Sequence, residues 1–303
     1  MLSENGLSLE RLRNFALVVE AGSICAVTEG DPARQSLISR QIRELETFFA
    51  TELTRRKGRG LEITDAGREL ARQICLQFQS LHDFKQTQAT VPLEVRLATG
   101  NSVLECLVIP MLAREPATTG LYRWSYRVMR TREVVEGLLD HSLDFGLIRR
   151  NVVSRPLKYL HLRRIGYALY VPGEWPVQEV PALLETCPWA VTAGGEFRRH
   201  LDSAARLAGI TLRPSHTCTS FTQAAQLVST GLAAAMLPRI VSTTLPASTR
   251  ELPLPWLEEH TRTLGLVWHP RNLEVRPALD PVRCLLYKGL LHSDSAKVYE
   301  END

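Results

Sequence analysis

The sequence predicts an α/β protein in three parts. They are a winged helix-turn-helix over residues 1–63, a single long linker helix over 64–90, and a two-lobed α/β domain over 93–303. Three observations predict this. Short helical patterns crowd the first part and put a basic face on the third of them; an unbroken apolar stripe runs from Leu70 to Phe84; and from Leu93 onward strand and helix patterns alternate.

Leu9, Leu12, Phe15, Ala16 and Val19 form one stripe of a first helix, Leu9–Ala21. Gly22-Ser23 stops it, and Ser23 is placed to cap a short second helix over Ile24–Glu29. Gly30-Asp31-Pro32 makes the turn. In the third helix, Ser36–Glu46, the apolar residues Leu37, Ile38, Ile42 and Leu45 are expected to face inward. Ser36, Ser39, Arg40 and Arg43 share the opposite side. Phe48, Phe49 and Leu53 are expected to continue the small core, Arg55–Gly60 to form a wing tip, and Leu61-Glu62-Ile63 to alternate as a strand. Between Pro32 and Gly60 seven basic residues (Arg34, Arg40, Arg43, Arg55, Arg56, Lys57, Arg59) face only Glu44, Glu46 and Glu52. Guanidinium forks and short hydroxyls are the groups that reach phosphates and base edges. Arg34, Gln35, Ser36, Ser39, Arg40, Arg43, Arg55, Arg56, Lys57 and Arg59 are therefore candidate contacts to double-stranded DNA. A charged helix face alone is more often merely solvated. Here the charges gather on the third helix and the wing, the layout of a winged helix-turn-helix.

On these residues the sequence resembles the LysR-type transcriptional regulators. The resemblance runs through Leu12-Arg13-Asn14-Phe15, Val19-Glu20-Ala21-Gly22-Ser23, Gln35, Ser39-Arg40-Gln41-Ile42, Leu45-Glu46, Leu53, Arg56 and Ile63-Thr64-Asp65-Ala66-Gly67. It departs from the family's usual pattern at Asp31, where an apolar residue is common, and at Arg34-Gln35-Ser36-Leu37, where Ser-Gln-Pro-Ala is common. The resemblance thus implies the fold, with a reshaped turn before the third helix.

Thr64 is placed to cap the long helix, which runs to about Gln88 with Leu70, Ile74, Phe78, Leu81 and Phe84 on one stripe. No element follows that would bury this stripe, so it is expected to need a partner. In the resembling family the linker helix pairs two subunits, which makes Leu70, Ile74, Phe78 and Leu81 candidate dimerisation residues. Packing of the stripe on its own domain is the alternative. Thr90-Val91-Pro92 ends the helix.

Leu93–Thr99 reads as a strand, Val103–Arg114 as a helix, Tyr122–Met129 as a strand, Glu133–Leu139 as a helix and Phe145–Ile148 as a short buried strand. A second lobe is expected over about 168–260. Its strands are Trp189–Thr192, Ser215–Thr219 and Gly231–Leu237, and its helices Glu196–Ala208 and Phe221–Ser229. Leu264–Trp268 returns as a strand and Leu279–Leu291 is the last helix. Two lobes joined by two crossings, with Leu138–Ile148 and Gly231–Pro238, resemble the periplasmic-binding-protein-like effector domain of the same family. Ligands of such folds lie at the C-terminal ends of the parallel strands. That makes Gly100, Asn101, Ser102, Arg130, Thr131, Thr192, Gly194, Gly195, Thr219 and Ser220 candidate effector-binding residues. Plainer roles compete. Ser102 with Glu105 has capping-box spacing, Thr219 and Ser220 are placed to cap the helix at Phe221, and Gly194-Gly195 fits a tight turn. Arg130 fits either a carboxylate ligand or a surface acid, and Glu105 in the cleft would disfavour an anion.

The 303 residues carry 44% hydrophobic content and a net charge of +3, enough for a large core but not a uniformly basic surface. Cys25, Cys75, Cys106, Cys187, Cys218 and Cys284 are widely spaced, so buried reduced thiols are expected. Cys187 with Cys218 is the pair weighed for redox chemistry, and neither sits among thiolate-stabilising charges. The eight histidines show no metal-ligand spacing; no Walker loop, G-x-S-x-G, H-E-x-x-H or G-x-G-x-x-G occurs, and neither a metal, a cofactor nor a catalytic residue is expected. The absence of an N-terminal apolar segment and of a long apolar run argues against export or membrane spanning. The expectation is a cytoplasmic, sequence-specific DNA-binding regulator, not an enzyme, acting as a homodimer or homotetramer and answering to a small-molecule effector. Two alternatives remain open. One is a small-molecule-binding protein or enzyme built on the two-lobed domain; the other is a regulator of the same family without an effector.

Overall fold

In a computed structural model, residues 7–57, 60–89, 91–116, 120–176, 179–193, 195–257 and 261–291 are described. The chain divides into two units: Met1–Val91 with Arg271–Pro277, and Pro92–Pro270 with Ala278–Asp303.

The first unit begins with α1 (Leu9–Ala21), capped by the Ser8 hydroxyl and closed by Gly22 in the left-handed conformation, φ 67°. Ser23 caps α2 (Ile24–Thr28). Asp31 then caps α3, its Oδ1 accepting from the N–H groups of Ala33 (2.9 Å) and Arg34 (3.4 Å), while Pro32 occupies the first turn. The third helix is consequently Pro32–Phe49, longer at its start than the Ser36–Glu46 expected. An acid in place of an apolar residue at 31 thus has a local cause: it accepts hydrogen bonds from the first turn.

Phe15 and Val18 of α1 pack with Ile38, Ile42 and Leu45 of α3 and with Leu53, in a core that excludes water. Three expected core residues are not in it. Leu9, Leu37 (48% exposed) and Phe49 are exposed, because they lie off the narrow strip along which three short helices meet. Asn14 donates to Gln41 Oε1 at 2.8 Å, tying α1 to α3 inside this core. The wing is the antiparallel pair β1 (Thr54–Lys57) and β2 (Gly60–Ile63), in register Thr54↔Ile63 through Lys57↔Gly60. Glu46 Oε1 accepts from the N–H groups of Leu53 and Thr54, which seats the wing on the end of α3.

The Thr64 hydroxyl caps α4 (Asp65–Gln88) by accepting from Gly67 N–H at 3.0 Å, and donates to Glu52 O at 2.8 Å. A Cβ on Gly67 would lie 2.2 Å from the Leu53 carbonyl oxygen, so only glycine permits this approach. The stripe on α4 divides in two. Leu70, Ile74 and Phe78 pack into the core of their own unit, Ile74 only 4% exposed. The expectation that these three await a second subunit is corrected: three short helices leave a gap that the first half of α4 fills. Leu81 (55% exposed) and Phe84 (66%) remain on the surface. On another side of α4, Ser80 donates to Val275 O at 2.8 Å and Asp83 pairs with Arg276, both groups nearly buried.

The second unit holds two five-stranded sheets. The first has the order β4-β3-β5-β12-β6, from β3 (Leu93–Thr99), β4 (Tyr122–Val128), β5 (Phe145–Arg149), β6 (Lys158–Ile165) and β12 (Arg262–Trp268). The strands β3, β4 and β5 run parallel, and β12 is antiparallel to β5 and β6. Arg96 and the fully buried Asp144 pair at 2.6 Å, joining β3 to the turn before β5. The second sheet has the order β11-β7-β10-β8-β9, from β7 (Tyr167–Val171), β8 (Trp189–Thr192), β9 (His216–Cys218), β10 (Ala234–Pro238) and β11 (Arg250–Leu252). Its strands β8, β9 and β10 are parallel. The short helix α8 (Val180–Thr186) leads into β8 and packs Leu183 and Leu184 under this sheet. Gly166 alone separates β6 from β7, so the first crossing between lobes is one residue long. The chain returns at Arg262, the first residue of β12, which pairs with Ile165.

Gly67→Ala should force α4 away from Leu53, at a cost of about 1–3 kcal/mol for a small-to-large change in a packed site. Amide hydrogen exchange of the full chain is expected to accelerate in α1 and α3 and to stay unchanged in the two large sheets. Unaltered protection in α1 and α3 would contradict the close approach.

Candidate DNA-binding face and effector cleft

Burial of Ile38, Gln41, Ile42 and Leu45 leaves Ser36, Arg40 and Arg43 on the outward side of α3, with Gln35 and Ser39 half-buried at its flanks and Arg34 exposed in the first turn. Arg40, whose side chain is 77% exposed, pairs with Glu44 Oε1 at 2.9 Å, and Arg11 takes Glu44 Oε2 at 2.8 Å. Arg43 Nε donates to Ser39 O at 3.3 Å. Exposed pairs of this kind contribute little, so a phosphate displaces them at small cost. On the wing, Arg55 pairs with Glu52 at 3.0 Å, both exposed. Arg56 and Lys57 belong to β1 by their backbone; their side chains, and Arg59 entirely, lie outside the described residues.

In the second unit, Gly100 and not Ser102 precedes the helical segment α5 (Asn101–Val103), so the expected Ser102–Glu105 capping box does not form. A π-helical turn, Leu104–Val108, follows and leads into α6 (Ile109–Ala113). Glu105 is exposed. Asn101 Nδ2 donates to Thr222 Oγ1 at 2.9 Å, a hydrogen bond from the first lobe to the second. Thr222 opens α10 (Phe221–Ser229) together with Phe221; Ser220 caps that helix by accepting from Gln223 N–H, and its hydroxyl lies 3.0 Å from that of Thr222. Thr219 commits both its N–H and its hydroxyl to Gln223 Oε1, at 2.9 and 2.8 Å. Thr192 is buried at the end of β8, and Gly195 begins α9 (Gly195–Leu207); Gly194 lies outside the described residues. Arg130 precedes α7 (Thr131–Leu139), is exposed, and its N–H donates to Glu133 at 2.8 Å. Among the described residues, no hydrogen bond or ion pair joins Arg130 or Thr131 to the other candidates. The structure thus connects Asn101 with Ser220 through Thr222, which the sequence reading missed.

A second group was also missed. Arg149 ends β5, Arg262 starts β12 and Tyr167 starts β7, so all three stand where the chain passes between lobes. The Arg262 guanidinium lies over the Tyr167 ring at 5.3 Å and over Phe197 at 5.7 Å. Tyr167 stacks on Phe197 with centroids 4.3 Å apart, and Phe221 closes the cluster at 5.3 Å from Phe197. Burial, then the nearby charge of Arg262, pulls Arg149 below its ordinary range, with Arg199 adding to the repulsion. Burial pushes the Tyr167 hydroxyl up to about 12. Arg149 carried a sequence signal, a charge directly after a buried strand. Tyr167 and Arg262 carried none, since only the crossings bring them together.

All six cysteines are thiols. Burial and then the Glu105 carboxylate push Cys106 up to about 11, and burial raises Cys218, so neither is poised as a thiolate. Among the described residues no cluster of three or more His, Cys, Asp or Glu forms, and no helix is long and apolar enough to cross a membrane.

Residues 9–68 match the bacterial regulatory helix-turn-helix protein, lysR family, and residues 90–286 match the LysR substrate binding domain. The HTH-type transcriptional regulator CzcR of Bacillus cereus is 26% identical over 160 residues, 50% of this chain and 52% of CzcR. The chain therefore spans about half the length of the CzcR relatives it matches. A full-length OxyR variant from Pseudomonas aeruginosa superposes with a TM-score of 0.63 at 14% identity, covering 98% of this chain and 99% of OxyR. Full-length CbnR, solved with its target DNA, superposes with a TM-score of 0.57 at 21% identity, covering 94% and 99%. At such identities these likenesses speak to the fold. The family matches, which between them take in both units, establish that the chain belongs to the LysR-type transcriptional regulators.

Proposed function

We propose that this protein is a cytoplasmic, sequence-specific DNA-binding transcriptional regulator that responds to a small-molecule effector. The observation that carries the reading is the outward face of α3, where Ser36, Arg40 and Arg43 stand opposite a fully packed side. A rigid helix with short hydroxyls and guanidinium groups suits the major groove, and the wing arginines suit the flanking phosphates. CbnR, of the same fold, was solved with its target DNA. The effector would sit between the lobes, beside Asn101, Ser220 and Thr222, and act by binding one arrangement of the lobes more tightly than another.

Pairing of subunits belongs to the same proposal. Leu81 and Phe84 are the apolar residues of α4 left exposed, and their burial against a second copy would set two α3 helices against successive major grooves, about 34–36 Å or a multiple apart.

Arg43→Ala should weaken binding to every DNA sequence and flatten the dependence of affinity on salt by about one. Gln35→Ala or Ser39→Ala should instead change which sequences are preferred. Fluorescence-anisotropy titrations at several salt concentrations separate the two, and an Arg43→Ala chain with undiminished affinity and slope would remove α3 from the interface.

Leu81→Asp combined with Phe84→Asp should yield folded monomers that have lost operator affinity. Sedimentation velocity is the test, and an unchanged oligomer would refute pairing through the far half of α4. Ile74→Asp, by contrast, should unfold the first unit, since it places a charge in that unit's own core.

A further inference from the structure

Arg149, Arg262 and Tyr167 meet on the chain crossings that join the lobes, with Arg149 at the C-terminal end of a parallel strand. Their chemistry is one-sided. Two guanidinium groups are held close enough to repel each other, and Arg199 of the second lobe adds a third positive charge nearby. Tyr167 is 4% exposed, yet its hydroxyl makes no hydrogen bond. A buried hydroxyl without a partner costs free energy that folding ordinarily avoids. Arg262 faces aromatic rings instead of a carboxylate among the described residues. Like charges and an unpaired donor at one place are what an acceptor-rich anion would satisfy together. Glu105, the acid expected to oppose an anion, is exposed in the π-helical turn.

We propose that Arg149, Arg262 and the Tyr167 hydroxyl form the head-group subsite of the effector cleft, and that the effector is an organic anion with an apolar body. The carboxylate or phosphoryl head takes charge-assisted hydrogen bonds from the two guanidinium groups and one from the phenol. The body extends along Phe221 toward Thr222 and Asn101, so that one molecule touches residues of both lobes and holds them together. This inference rests on the cleft being the effector site, and it adds the class of ligand.

The test is calorimetric titration of the full-length chain with three probes of one shape: benzoate, phenyl phosphate and the neutral benzamide. Saturable binding of at least one acid, with none by benzamide, is expected, and the tighter acid identifies the head group. Arg262→Gln should weaken that binding at least about tenfold, the loss of one charge-assisted hydrogen bond. Tyr167→Phe, which keeps the ring and its stacking, should weaken it about as much, and provides the result should Arg262→Gln not fold. Equal binding of benzamide and benzoate, binding of neither acid, or full affinity in Tyr167→Phe would overturn the subsite. A neutral metabolite that binds the native chain and Tyr167→Phe alike, but not Asn101→Ala, would overturn the anion and leave the cleft reading standing. Regulation in cells indifferent to both Asn101→Ala and Tyr167→Phe would end both.

Discussion

Ile38, Ile42 and Leu45 bury one side of α3 against Phe15 and Val18 of α1 and against Ala71 and Ile74 of α4, and this shared core sets the direction in which Ser36, Arg40 and Arg43 leave the helix. A side chain that reads bases is useful only if its helix cannot rotate. Rotation is opposed here by the Asn14–Gln41 hydrogen bond on one side and by Glu46, which holds the backbone of Leu53 and Thr54, on the other. Gly67 completes the arrangement by letting α4 reach the Leu53 carbonyl. Much of the family's signature in this chain is therefore structural. Asn14, Gln41, Glu46, Thr64 and Gly67 position the DNA-reading face without belonging to it.

The N-terminal unit was legible in the sequence because its signals are local. Caps at Ser23 and Thr64, the glycine at 22 and the apolar spacing of α3 each lie within one or two turns of what they specify. What escaped was the sharing of surface between elements. The stripe Leu70–Phe84 is continuous in sequence, and only the three-helix core shows that its first half is already occupied and its second half exposed. Periodicity identifies a face to be buried but not the face that buries it. The same limit misplaced Leu37 and Phe49, apolar residues at helical spacing that point past the edge of the core.

In the second unit the alternation of strands and helices was equally readable, whereas the cleft was legible only where a loop carried a local mark. Asn101 and Ser220 stood in candidate loops, and Thr222, two residues beyond Ser220, joins them. The capping-box spacing at Ser102 gave a false signal, since Gly100 starts the helix and a π-helical turn follows. Arg149, Tyr167 and Arg262 come from three strands of two sheets, so nothing short of the topology could assemble them. A crossing of one residue at Gly166 and a return at Arg262 place the cluster beside the connections between lobes. A ligand bound there would act on the segments through which the lobes move relative to each other.

The central claim is that α3 reads DNA and that subunits read it in pairs. Selection of bound duplexes from a random pool by the full-length chain tests it most directly. Enrichment of two half-sites related by a two-fold axis, with centres one helical turn or a multiple apart, is the predicted result. A pool that shows no enrichment, or only single half-sites at every protein concentration, would contradict it.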